Sequence, residues 1–475
     1  MILFYFISAI ILSVATLLVN KRRTAQIMVS LFAAIQIAFA YYAYLHLNQT
    51  DLSYFTYDPL GVIFLSVLSI IFPATIYHGF RYFTNGTTKR FYYYHSALIG
   101  VIAVITGAYL ANEATVVWIL VEATTLLASV LIYHEKTKMA LEATWKYIFL
   151  CSVGIAFAYM GILFIGFGIE QYGFTNLSFE AIAKVASQAN PLYLKIAFIF
   201  IFIGYSTKME LFPMHTVGID ANSVAPSPIG ALFSTAIVNM GFVIIFRIYV
   251  ALSGSEIFHW MNHVLIIGGL SSIVVAAGYM LKATHHKRMF AYSTLENAGL
   301  AAIALGIGGA GYYAAILLLI LHSFVKSSMF FQIGQLNRVF NSLDINFSGK
   351  YIKLHPVGAV VLMVGMIFLL AIPPSGLFIP KYLIFKALIF SNSWFVLIAV
   401  ALMICVVVYA LSVRVMHICF SDARKSMHDV LPEKINPIET VTQFLFLLVV
   451  VVFCFYRPPL VDELIRQSIS LLTQM

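Results

Sequence analysis

The sequence predicts an all-α integral membrane protein of about fourteen transmembrane helices, with two inverted five-helix repeats and two discontinuous helices. Three observations carry that expectation. Of 475 residues, 61% are hydrophobic and only 10% charged, against roughly 25% charged in a soluble domain. Apolar stretches of about 20 residues, long enough to span a bilayer core, recur along the whole chain. Two of these stretches each carry a lysine beside a proline break, a pattern that points to an inverted repeat with its site near the midplane.

In chain order the stretches fall near 1–20, 26–46, 59–78, 93–111, 113–133, 140–168, 193–212, 228–250, 260–281, 289–308, 311–336, 356–391, 393–417 and 437–456. The first lacks a charged start and a small-residue cleavage site, so it reads as a helix and not as a removable signal. Residues 1–110 are expected to form N-terminal transmembrane helices and 437–475 a final helix and tail. Between them, 93–250 would be the first repeat and 260–417 the second. The seventh stretch, KIAFIFIFIGYSTKMELFPMH, holds Lys208 deep in the run, with Pro213 five residues on. The twelfth, MVGMIFLLAIPPSGLFIPKYLIFKALIF, is broken by Pro373 and Pro374, with Lys381 just beyond. The two breaks lie five helices apart, and an odd number turns the second repeat upside down. Glu122 in the fifth stretch and Glu296 near the start of the tenth follow the same offset loosely.

A net charge of +9 is compatible with nucleic-acid binding, but its distribution argues against it. Loops after odd-numbered helices hold 18 cations, from Lys21, Arg22 and Arg23 to Arg424, Lys425 and Lys434, whereas the opposite loops and tail hold 3. That asymmetry is the positive-inside signal and places both termini on the non-cytoplasmic side of an inner (plasma) membrane. The remaining cations, Lys146, Lys195, Lys208, Arg247, Lys326, Lys381 and Lys386, lie in or at the ends of helices. Four isolated cysteines form no CxxC or Cys/His pair with iron–sulfur or zinc spacing. No Walker loop or Rossmann fingerprint is present. No metal, cofactor, redox centre or nucleotide site of the chain's own is therefore expected.

A charge at bilayer depth costs roughly 2.5–3.5 kcal/mol on insertion scales, and a helix break there frees backbone groups that lipid cannot satisfy. Chains keep both features together where they line a wet pathway. Ion translocation is the first functional expectation.

Five segments then carry a resemblance. They are WILVEATTLLAS, GYSTKMELFPMHTVGIDANSVAPSPIGALFSTAIVNMGFVIIFR, KRMFAYSTLENAG, LHSFVKSSMFFQIG and IPPSGLFIPK, in that order between residues 118 and 381. The chain resembles the antiporter-like membrane subunits shared by respiratory complex I, membrane-bound nickel–iron hydrogenases of the formate hydrogenlyase type, and Mrp cation/proton antiporters. The resemblance implies that Glu122 pairs with Lys208 and that protons move through Lys208, His322, Lys326 and Lys381. His322 and Lys326 share a helix face, one turn apart. Further relays are His215 past the first break, Glu210, and Lys146, which an i,i+4 pair with Glu142 explains equally well. Asn239 stands where many complex I subunits carry a central lysine, a substitution that resembles the hydrogenase branch.

Other departures mark a divergent member. The family's P-x-H-x-W-L-P-x-A-H element lacks its tryptophan, second proline and second histidine between Pro213 and Asn222. Glu210 adds an acid two residues from Lys208, and His285 replaces the acid that usually precedes the K-R-x-x-A-Y-S element. The expected function is a proton-translocating subunit, with sodium as the alternative ion, embedded in lipid among other membrane subunits of a redox-driven complex. A Mrp-type antiporter subunit, and a non-pumping scaffold or inorganic-carbon transport partner, stay open as alternatives.

Overall fold

The computed structural model describes residues 1–19, 21–83, 88–170, 172–173, 176–424 and 433–473; Lys425, counted above among the cytoplasmic cations, lies outside them. The described chain is helical nearly throughout, its strands being the short antiparallel pair Thr50–Asp51 and Phe55–Thr56. The helices run α1 (Ile2–Leu18), α2 (Arg22–Leu45), α3 (Pro59–Tyr82), α4 (Thr88–Leu110), α5 (Ala114–Ile132), α6 (Lys138–Glu170) and α7 (Phe179–Val185). Next come α8 (Pro191–Met209), α9 (Thr216–Val224), α10 (Ser227–Leu232), α11 (Val238–Ala251), α12 (Phe258–Lys282), α13 (His286–Ile307) and α14 (Ala310–Phe340). The chain closes with α15 (Tyr351–Leu354), α16 (Pro356–Leu369), α17 (Phe378–Phe390), α18 (Trp394–Phe420), α19 (Val441–Phe455) and α20 (Pro459–Thr473).

Among the described residues, 12 helices are long and apolar enough to cross a membrane. The expectation of about fourteen also counted α1, which has 17 residues, and the broken element formed by α16 and α17. Large apolar side chains point outward: Phe390, Phe395 and Phe455 are 75%, 78% and 79% exposed. Such surface is stable against lipid and not against water. The chain is a multi-span membrane protein.

Two compact units are present. One comprises Met1–Val217, Ala236–Leu265 and the residues from Leu460 on; the other comprises Gly218–Thr235 and Ile266–Pro459.

In the first unit, α6 and α8 lie against each other because glycines let their backbones meet. A Cβ on Gly154 would stand 2.4 Å from Thr207 Cγ2, and one on Gly204 would stand 2.6 Å from the Gly154 carbonyl. Small residues at the contact are how membrane helices pack closely. Helix α8 starts at Pro191 with the Asn190 side chain accepting from Leu192 N at 2.9 Å, the usual N-terminal chemistry. It stops at Met209: Glu210 takes a left-handed φ of 58° and Pro213 follows.

In the second unit, α16 stops at Leu369 and α17 begins at Phe378, with Pro373 and Pro374 between them. The freed amide of Gly376 is satisfied by the Val450 carbonyl of α19 at 3.0 Å. A side chain at Gly376 would meet that carbonyl at 2.5 Å. The second half of the other broken helix, α9, is tied to the start of α13. Lys287 Nζ donates to the Ala225 carbonyl at 2.6 Å, and Arg288 pairs with Asp220 at 2.7 Å.

Candidate ion-translocation site

Lys208 sits in the last turn of α8 and is fully buried. Its ammonium donates to Thr125 Oγ1 on α5 at 2.8 Å and to the Tyr147 hydroxyl on α6 at 3.2 Å, and lies 3.9 Å from Cys151 Sγ. Tyr147 and Cys151, four residues apart on α6, share the face that meets it. Gly241 makes room from the other side, since a Cβ there would stand 2.4 Å from Met209 N.

Glu122 precedes Thr125 by one helical turn on α5. Its Oε1 accepts from Ser152 Oγ at 3.1 Å, and its buried Oε2 has no hydrogen-bond partner among the described residues. The implied Glu122–Lys208 ion pair is therefore not closed. The ammonium is bonded instead to Thr125, about one turn along α5 from Glu122.

Of the other first-unit candidates, Glu210 and His215 are both buried at the break, and the His215 ring stacks on Phe212 at 5.9 Å. Asn239 is buried two residues past the end of a π-helical segment, Phe233–Ile237, that joins α10 to α11. It neighbours the Tyr109 hydroxyl, which donates to the Ala236 carbonyl at 2.8 Å. Lys146 is not brought to Lys208. It pairs with Glu142 at 2.6 Å, and both side chains are more than half exposed on α6.

In the second unit Lys381, on α17, donates to Glu296 Oε1 on α13 at 3.0 Å and to the Leu369 carbonyl at 3.2 Å. That carbonyl is one of those left without an intrahelical partner where α16 ends. The other Glu296 oxygen accepts from Asn297 Nδ2 at 2.6 Å. Lys326, on α14, donates to the Phe290 carbonyl and to Ser293 Oγ, both on α13. His322 lies one turn earlier on α14, fully enclosed, and neither ring nitrogen has a protein hydrogen-bond partner among the described residues. Helices α13 and α14 are consecutive and joined by the tight Gly308–Gly309 turn. Ascending α13 from Ser293 to Glu296 is therefore descending α14 from Lys326 to His322. The order Lys326, His322, Glu296–Lys381 follows along one inner seam.

The sequence singled out Lys208, Lys326 and Lys381, which are buried, and both helix breaks, but not several residues that contact them. Glu296 is mid-helix, not near a helix start, and is the counter-ion of Lys381; its loose offset from Glu122 was the available signal. Thr125, Tyr147, Cys151 and Ser293 carry no local mark. Arg247, noted only as a helical cation, pairs with Asp58 at 2.6 Å and donates to the Ala111 carbonyl at 2.9 Å, holding the end of α4.

The family model described as NADH:quinone oxidoreductase/Mrp antiporter, TM, matches residues 111–407, which include Glu122, Lys208, Glu296, His322, Lys326 and Lys381. The Hydrogenase-4 component F homolog of Methylacidiphilum infernorum (isolate V4) is 30% identical over 387 residues, covering 78% of this chain and 80% of that relative. A chain of the membrane-bound sulfane sulfur reductase, an archaeal respiratory membrane complex, shares the fold at TM-score 0.87 and 22% identity, with 99% of this chain and 96% of that one covered. A chain of the Mrp complex from Dietzia sp. DQ12-45-1b does so at TM-score 0.83 and 15% identity, with the same coverage.

Proposed function

Because the chain belongs to the NADH:quinone oxidoreductase/Mrp antiporter transmembrane family, we propose that it is the proton-translocating membrane subunit of a redox-driven complex of the hydrogenase type. The observation that carries this reading is the set of three buried lysines, two of them beside the helix breaks and the third inside α14. Lys208 is 0%, Lys326 0% and Lys381 7% exposed. A buried lysine is costly unless its charge is used, and each here faces groups that hold or pass a proton. Lys208 serves the first unit; Lys326, His322 and the Lys381–Glu296 pair serve the second. The similarity to a hydrogenase-4 component F homolog, together with asparagine at position 239, supports the hydrogenase branch over the complex I branch.

In this reading the two broken helices centre two inverted repeats, 93–250 and 260–417. Both termini face the non-cytoplasmic side of the inner membrane, and neighbouring membrane subunits deliver the electrostatic drive. Protons are the transported ion. Lys146 belongs to an exposed pair and not to the route.

The test is redox-driven proton uptake in inverted vesicles, comparing native complex with Lys208→Ala and Lys381→Ala at equal assembly and at several sodium concentrations. Uptake should fall in both variants at every sodium level. Native uptake in both would reduce the chain to a scaffold, and a strict sodium requirement would assign the route to sodium.

A further inference from the structure

We propose that the Cys151 thiol is the proton-exchange partner through which Lys208 gains and loses its charge, an inference that rests on the translocation reading above. Lys208 is fully buried and, among the described residues, forms no ion pair with a carboxylate; it meets the Thr125 hydroxyl, the Tyr147 hydroxyl and the Cys151 thiol. An ammonium arriving alone in such surroundings is costly, and one created together with a counter-charge is far less so.

Of its three neighbours, the threonine hydroxyl does not ionise. A free phenol ionises near pH 10 and a free thiol near 8.5, so the thiol gives up its proton more readily. Placement agrees with the chemistry. Cys151 is wholly buried, hydrogen-bonds with Tyr147 one turn away, and has its sulfur 3.9 Å from Lys208 Nζ. The next residue, Ser152, holds Glu122 at 3.1 Å. Two successive positions on α6 thus contact the amine and the carboxylate of a pair that is not closed directly.

The steps balance without an oxidant or reductant. The amine lone pair takes the thiol proton while the S–H bonding electrons stay on sulfur, giving an ammonium–thiolate pair of zero net charge. A proton arriving from the Glu122 side then restores the thiol and leaves Lys208 charged. Reversal discharges the lysine. A cysteine acting only as a small apolar filler predicts none of this.

Infrared difference spectroscopy on the purified membrane complex reads the thiol directly, because the S–H stretch falls in a window clear of other protein bands. The Cys151 band is the one lost in Cys151→Ser and kept in Cys405→Ser, whose side chain is exposed. A pH step should change that band in the native complex and leave it fixed in Lys208→Met. A band that stays constant in the native complex, or moves identically in Lys208→Met, overturns the proposal. In vesicles, Cys151→Ser should pump roughly a hundredfold or more slowly at native assembly, the lower end for loss of a proton-transfer group; native-rate pumping overturns it too. If native vesicles show no uptake, the translocation reading fails, and the spectroscopic arm still decides the thiol separately.

Discussion

Replacing Glu296 by alanine should destabilise the second unit by about 3–4 kcal/mol, and adding Lys381→Met should recover most of that loss. The Lys381 and Glu296 side chains are 9% and 2% exposed, with nitrogen and oxygen 3.0 Å apart. Removing one partner of a buried pair leaves an uncompensated charge and costs about 3–5 kcal/mol. Two local features move the figure within that range. Lys381 keeps its bond to the Leu369 carbonyl at 3.2 Å, which softens the loss, while Asn297 loses its acceptor at 2.6 Å and adds about 1 kcal/mol. In the double variant no charge remains to be buried, and replacing a buried pair by apolar residues of similar volume is often close to neutral. Proton uptake, by contrast, should be lost in the double variant, because neither alanine nor methionine carries a proton. Thermal melting of the purified complex gives the stability and inverted vesicles give the uptake. A single variant as stable as native protein would show that no buried charge rests on the pair. A double variant as unstable as the single would assign the loss to packing. Normal uptake by the double variant would remove the pair from the pathway.

Three other outcomes follow. Gly241→Ala places a Cβ 2.4 Å from Met209 N, so α11 and α8 must part; melting should report about 1–3 kcal/mol of overpacking cost, with slower uptake at equal assembly. Lys146→Met removes an exposed pair at 2.6 Å, so stability should change by roughly 1 kcal/mol or less and uptake should stay native; collapsed uptake would put Lys146 back on the route. His285, in the loop between α12 and α13, is held down to about 4, by burial first and then by Lys287 and Arg288. Its unfolded value is near 6.5, so in that window the unfolded state binds the extra proton and stability falls as pH drops from about 6.5 to about 4. His285→Gln should flatten this part of a melting-versus-pH curve, and an unchanged curve would exclude His285 as its source.

Much of the architecture is legible in the sequence because membrane helices declare themselves locally. Pro213, Pro373 and Pro374 mark both breaks: a residue without an amide hydrogen, in the middle of an apolar run, leaves few other structures available. Lys146 and Glu142 could be paired from spacing alone. Partners distant in sequence could not. Lys381 and Glu296 are 85 residues apart, and nothing in either segment fixes which acid meets which base. The same holds for Glu122 and Lys208. Residue types gave two opposite charges, but only the structure shows that Thr125, one turn along α5 from Glu122, takes the hydrogen bond from the amine at 2.8 Å. Cys151 reads as a small hydrophobe from its surroundings and is indeed fully buried; only its contact with Lys208 distinguishes it.

The two units hold their lysines in different ways, and that contrast bears on mechanism. In the second, Lys381 is matched by a carboxylate at 3.0 Å, so charging the lysine while Glu296 is ionised produces a neutral pair that is costly to separate. In the first, Lys208 rests on two hydroxyls and a thiol, and the nearby carboxylate is held by a serine. A group held on neutral acceptors responds to a modest change in field, because no tight ion pair must first be broken. Its counter-ion stands one turn away. Bringing Glu122 onto Lys208 would raise the affinity for the ammonium form, and releasing it would lower that affinity. The closed pair at Lys381 holds a proton against loss until the field changes more strongly. On this argument, sensitivity to a partner subunit belongs to Lys208 and retention belongs to Lys381. Substituting Glu122 should therefore weaken the coupling of uptake to the redox reaction more than substituting Lys326 does, when both are compared at equal assembly by the ratio of protons taken up to electrons transferred. An equal loss of that ratio in the two variants would count against the division of labour.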